Sequence, residues 1–159
     1  MTYLPLLISV CTSTTGTSYS SSLTYGKPFD TLAKYGLYIK HAPFTVMPKA
    51  KNIVTQTWKD EDGDDVYIPS SVVYEAYDLE LEFVYLDPGE TANAQIRQFI
   101  TDITGKWLKI YDSYTKIGRQ GVYVISADED PQFKRRDGRD FLVFNVKFRV
   151  NDPKTNIVL

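Results

Sequence analysis

Tyr77-Asp78-Leu79-Glu80-Leu81-Glu82-Phe83-Val84-Tyr85 places apolar and acidic side chains on alternate positions. Tyr77, Leu79, Leu81, Phe83 and Tyr85 fall on one face, and Asp78, Glu80 and Glu82 on the other. Val73 extends the apolar series upstream. A period of two marks a strand with one buried and one wet face, because successive Cβ atoms point to opposite sides of the pleat. From Val73 to Tyr85, at about 3.3 Å per residue, such a strand would run roughly 40 Å, long for a small domain. Asp87-Pro88-Gly89 stops it, since Pro lacks a ladder donor and Gly permits a turn. Ile96, Phe99, Ile100 and Ile103 then recur at i, i+3, i+4 and i+7, which predicts a helix over about 91–104 with one apolar stripe. Thr91 is placed to cap its start and Gly105 to supply a left-handed residue at its end. Trp107, Leu108, Ile110 and Tyr111 open the next strand.

The pattern spreads outward from this unit. Tyr35, Leu37 and Ile39 alternate with Gly36, Tyr38 and Lys40, and Ala42-Pro43 breaks that strand. Asn52 to Trp58 and Val66 to Ile68 flank an acidic tip containing Asp62-Gly63, a hairpin signal. Downstream, Gly121 to Ile125 reads as a strand. Phe133 to Arg136 approaches a second hairpin pair, Asp137-Gly138. The last strand sets Leu142, Phe144, Val146, Phe148 and Val150 on one face, with Asn145, Lys147 and Arg149 on the other. The count is about seven strands and one helix, with short turns that favour antiparallel pairing. The fold class is therefore mainly β (α+β): an antiparallel β-sandwich or barrel-like sheet flanked by one α-helix. Its expected core is Leu79, Leu81, Phe83, Ile96, Phe99, Ile103, Phe144, Val146 and Phe148.

The 159 residues suit one domain able to bury a sizeable core. With 18 basic against 20 acidic residues, net charge makes no case for nucleic-acid binding. A single cysteine, Cys11, and a single histidine, His41, exclude an internal disulfide and clustered Cys or His metal sites. No apolar run approaches the length of a bilayer span. Met1 to Gly26 carries no charge, and Thr12 to Thr24 is rich in Ser and Thr. Residues 1–28 read as an extended arm. Its apolar side chains Tyr3, Leu4, Leu6, Leu7, Ile8 and Val10 would pack on a neighbouring subunit, since a free apolar end in water is a liability. The domain proper would be 29–159. The apolar run ahead of Cys11 also suggests a secretion or lipoprotein signal, although no basic residue precedes it.

Enzymatic constellations do not assemble. Asp60, Glu61, Asp62, Asp64 and Asp65 crowd Gly63, but a calcium loop starting at Asp60 would need Gly at Asp65 and Glu at Ser71. A solvated hairpin tip accounts for these acids. Glu80 and Glu82 lie on the wet face of one strand, where alternation puts them, and not across a cleft. Lys134, Arg135, Arg136 and Arg139 form the main basic cluster, without the aromatic platform of a nucleic-acid site. It suits acids on a neighbouring subunit equally well. Ser20, Ser21 and Ser22 lack a nucleophile elbow. The Gly118–Gly121 stretch is too short for a phosphate cradle. No catalytic, metal or cofactor site is expected.

The order of pieces from Phe29 to Pro153 resembles the N-terminal domain of siphophage distal tail proteins and the wider tail-tube fold. The matching pieces are Phe29-Asp30 before Tyr35-Gly36-Leu37, a hairpin, Tyr77 to Phe83, and the helix with Ile96, Phe99 and Ile100. Gly105 to Asp112, Tyr123-Val124 and Phe148-Arg149-Val150-Asn151-Asp152-Pro153 follow. The resemblance implies a virion structural protein, made in the host cytoplasm. It would form a ring, hexameric in that family, at the tail tube or at the junction with the baseplate. Its partners would be copies of itself and other tail proteins, with DNA passing transiently through the channel. Trp58, Asp60, Asp62, Asp64, Val66 and Tyr67 would belong to a hairpin lining the channel or ring. A negative lumen would keep DNA from sticking. The chain departs from the usual pattern in its long uncharged N-terminal stretch and in stopping where an accessory domain often begins. The alternative is a secreted or lipid-anchored β-sandwich binding module.

Overall fold

The structure, a computed structural model, describes residues 6–12, 18–20, 22–41 and 45–159. In chain order these form β1 (Leu6–Val10), β2 (Phe29–Asp30), α1 (Thr31–Tyr35), β3 (Leu37–His41), β4 (Val54–Thr57), β5 (Asp64–Tyr67), β6 (Tyr77–Leu86), α2 (Ala92–Ile103), β7 (Leu108–Asp112), β8 (Ile117–Ala127), β9 (Gln132–Arg136) and β10 (Arg139–Val150). Eight strands make one curled antiparallel sheet in the order β2-β1-β7-β8-β10-β6-β3, with β9 alongside β10; β4 and β5 form a separate hairpin. The fold is mainly β, and the barrel-like alternative describes it.

The two strongly alternating strands are the centre of the sheet. β6 and β10 pair along their whole length, from Phe141 opposite Leu86 to Val150 opposite Tyr77. Leu79, Leu81, Phe83, Phe144, Val146, Phe148 and Val150 are buried between sheet and helix. α2 lays Ile96, Phe99 and Ile103 on this face. Phe99 meets Phe83 edge-on at 5.0 Å and Tyr35 at 5.2 Å, while Phe83 stacks on Phe144 at 5.6 Å. Burying each such ring contributes about 2 kcal/mol. The wet face carries cross-strand charge: Asp78 accepts from Arg149 at 2.9 Å and pairs with Lys147 at 3.5 Å. The acidic row of β6 therefore lies beside a basic row on β10.

β8 bends the sheet. Between Leu108 and Ile110 of β7 the partner advances from Val122 to Arg119, three residues against two. Beside β10 it again carries one residue more, from Val124 to Ser126 opposite Phe148 and Lys147. Each extra residue is a bulge, which increases twist and curl. Gly121, at φ 63, supplies the left-handed residue at the first.

Several expectations change. The strand expected from Val73 begins at Tyr77, and Val73 is 46% exposed. Tyr35 ends a short helix and does not begin a strand. Asp30 caps that helix by accepting from the N–H of Leu32 at 2.7 Å and of Ala33 at 3.3 Å, and Gly36 (φ 72) terminates it. Thr91 stands at the start of α2 but makes no side-chain cap bond, whereas Gly105 does take the left-handed conformation (φ 76). Asp137-Gly138 forms a two-residue turn with both φ positive, as a type I′ turn requires. The Asp62-Gly63 hairpin has a wider loop, closed by Thr57 opposite Asp64.

The arm is the largest correction. β1 is a strand of the chain's own sheet, paired to β7 and β2. Leu6 and Ile8 are fully buried, Leu7 and Val10 half-buried. The reason is the same liability that suggested an arm: these side chains need cover, and the edge of β7 provides it within the chain. Tyr3 and Leu4 lie outside the described residues. Downstream, Gly26 donates to Val10 O at 2.8 Å and Thr12 to Thr24 O at 3.0 Å. Tyr19 packs on Trp107 at 5.2 Å, and its hydroxyl donates to Asp152 Oδ2 at 3.2 Å.

Candidate functional site

The sheet has two ends, and a hairpin leaves each. β3 runs from Leu37, opposite Tyr85, to His41, opposite Glu82, so it heads for the Tyr77 end of β6. The chain between β3 and β6, which holds β4 and β5, therefore springs from that end. The β9–β10 turn lies past the Phe141–Leu86 pair, at the other end.

The root of the β4–β5 hairpin is tied. Ala50 bridges Tyr74, Lys51 donates to Val73 O at 2.9 Å and Glu75 to Lys49 O at 2.7 Å. The Asn52 side chain donates to Ser71 O and accepts from the Val73 N–H. Beyond the root every residue of both strands is exposed. Alternation puts Val54, Gln56, Asp65 and Tyr67 on one face, with Thr55, Thr57, Asp64 and Val66 on the other. Apolar groups thus stand in water on both sides, including Trp58 at 49%, Val66 at 52% and Tyr67 at 66%. Trp58 Nε1 donates to Asp65 Oδ2 at 2.9 Å, and Thr57 Oγ1 to Asp64 Oδ1 at 2.7 Å. Asp60 and Asp62 sit exposed in the tip.

At the opposite end β9 is likewise exposed throughout, with Phe133 at 60%. Arg135 pairs with Asp140 at 2.6 Å across the hairpin, and Arg139 with Asp87, just past β6, at 2.7 Å. The Arg135 bond holds the Asp140 carboxyl below the usual carboxylate range.

A buried arginine ties the segment that leads to the first hairpin to the body. Arg119, on β8, is 4% exposed and reaches no carboxylate among the described residues. Its donors meet neutral acceptors instead. Nε donates to the Tyr77 hydroxyl at 3.3 Å, Nη1 to Gly118 O at 2.9 Å and Asn156 Oδ1 at 3.1 Å, and Nη2 to Thr45 O at 3.1 Å. Burial pushes the Tyr77 phenol up, with Arg119 pulling the other way. One guanidinium thus joins the start of β6, the segment leading to β4, and Asn156. The Gly118 N–H also donates to Asn156 Oδ1, and Ile157 donates to Gly118 O at 3.3 Å. Nothing in the sequence pattern singled out Arg119, because a lone arginine in a strand reads as wet face.

Among the described residues no polar cluster resembles a reaction centre. The groove between α2 and the end of β8 is lined by Ile96, Ile100, Arg97, Asp128, Glu129 and Pro131, and encloses about 430 Å³. It is a shallow mix of apolar and charged groups with no nucleophile–base pair. Among the described residues no three His, Cys, Asp or Glu side chains are grouped to hold a metal, and no helix is long and apolar enough to cross a membrane.

No family model matches the chain, and no curated protein matches it. Its fold does match a solved structure: the crystal structure of SPP1 Dit (gp 19.1), described as a paradigm of the hub adsorption apparatus in phages infecting Gram-positive hosts. The TM-score is 0.55 at 15% identity, over 93% of this chain and 50% of that one. The chain thus has the fold of a distal tail protein and spans about half the length of that neighbour.

Proposed function

We propose that this chain is a structural component of a phage tail, assembling with copies of itself into a ring at the tail tube or its junction with the baseplate. The carrying observation is the β4–β5 hairpin, built on a distal-tail fold and bare on both faces. A lone two-stranded hairpin is marginal in water, and one that exposes Val54, Trp58, Val66 and Tyr67 lacks its cover within the chain. Among the described residues, sheet edges also remain open at β3 and β9, and a closed ring covers such edges. Six copies follow from the family resemblance, as does a central channel through which DNA passes. Acids at the hairpin tip would repel DNA where they face that channel. Other tail proteins are the remaining partners, and the virion is the place of action. A structural role needs no catalytic centre, cofactor or metal.

The secreted or lipid-anchored module loses support from β1. Lipidation at Cys11 requires cleavage before it, which would remove a strand whose Leu6 and Ile8 are in the core. Cys11 itself is 7% exposed, and its N–H donates to Trp107 O at 2.9 Å.

The test is the solution mass by light scattering, with negative-stain imaging, of the wild-type chain and of a variant with residues 53–68 replaced by a short Gly-Ser turn. Rings or tubes from the wild type and a folded monomer from the variant are expected. A wild type that stays monomeric at every concentration overturns the ring.

A further inference from the structure

The hairpin that lacks cover has a matching surface on the same molecule, at the far end of the sheet. Residues 59–65 hold five carboxylates against Lys59, a net charge of −4. Residues 132–140 hold Lys134, Arg135, Arg136 and Arg139 against Asp137 and Asp140, a net charge of +2. Asp60, Glu61 and Asp62 have no ion-pair partner among the described residues, nor has Lys134, and Arg136 has only its neighbour Asp137 at 4.0 Å. Each hairpin also presents exposed apolar side chains: Trp58, Val66 and Tyr67 on one, Phe133 on the other.

We propose that the β4–β5 hairpin of one copy docks on the β9–β10 hairpin of a second copy, head to tail. The proposal rests on the ring assembly argued above and names the surfaces that make it. The two hairpins leave opposite ends of the β6–β10 ladder, so they cannot meet within one chain without unfolding it. Between copies they meet readily. Two different surfaces in contact make a heterologous interface, and repetition of that interface generates a ring when the rotation closes. Apolar contact supplies the affinity. The charges steer approach, set the register and oppose contact between two like hairpins.

Charge reversal at four exposed positions tests this without touching the core. The variants D60K/D62K and K134E/R136E each place like charges in the contact, and circular dichroism checks that they fold as wild type. Each alone is expected to lose the large species in light scattering. An equimolar mixture of the two is expected to regain it, since each hairpin then meets an opposite one. Assembly of wild type should weaken as salt rises. If both variants assemble like wild type, or the mixture fails to recover, the pairing is wrong and the ring stands. If only the acidic-tip variant loses assembly, the β4–β5 hairpin docks elsewhere and the pairing is again wrong. A wild type that never assembles removes the ring and the pairing together.

Discussion

Arg119 carries a charge into a place where charge is costly, and neutral oxygens solvate it there. Its hydroxyl, amide and carbonyl acceptors stand in for water, so its removal would strand several of them at once. We expect Arg119→Met to cost on the order of 3 kcal/mol in urea unfolding, because the lost bonds are charge-assisted and part-buried. Gly118 poses a steric problem. A Cβ there would overlap Ile157 O, a backbone atom that cannot yield alone. Gly118→Ala should free residues 156–157, read as faster amide exchange at Ile157, with a loss of about 1–3 kcal/mol from the bonds given up. Tyr19 and Asp152 give the fold a pH signature. Burial first, then Asp152, pushes the Tyr19 phenol up to about 12. Its contribution to stability is full below the ordinary tyrosine value near ~10 and lost as pH rises through 12, which phenolate absorbance can follow. Burial raises the Asp152 carboxyl, but hydrogen bonds from Gln120, Thr155 and Tyr19 outweigh it and hold the group below its usual range. Its contribution is therefore present above about 3.9 and lost as pH falls through the lower folded value. The stability gap between wild type and Asp152→Asn should close in acid; a constant gap would show that the carboxylate is not held.

At the scale of elements, legibility followed burial on one face. β6, α2 and β10 each bury mainly one face, with the facing pair Val84 and Val143 the buried exception, so their period survives in the sequence, and Leu79, Phe99 and Phe144 lie where that period puts them. Phe99 touches both Phe83 and Tyr35, so Phe99→Ala should cost roughly 3–5 kcal/mol in denaturant unfolding. β1 was illegible because it buries Ser9 as well as Leu6 and Ile8, which erases the alternation. Its pairing with β7 depends on residues a hundred positions away, where no local signal reaches. α1 is too short for a helical stripe, and its signals are only its ends, Asp30 and Gly36. The β4–β5 hairpin was visible as turn chemistry, but its isolation was not: alternation reads the same whether the covering surface belongs to this chain or to another. Arg119 escaped because its partners come from three separated segments.

At the scale of the whole molecule, the opposite placement of the two hairpins decides how force would travel. A copy gripped at both would be pulled through the start of β6 at one end and the start of β10 at the other. β6 and β10 are antiparallel neighbours, so those pulls lie along the strands in opposing directions. Ten residue pairs, from Tyr77–Val150 to Leu86–Phe141, would share the load together. A ladder strained lengthwise yields only when many bonds slip at once, whereas one opened from an end parts rung by rung. In such a ring the longest pairing in the sheet would lie along the line of tension, and each copy would act as a link that resists stretching.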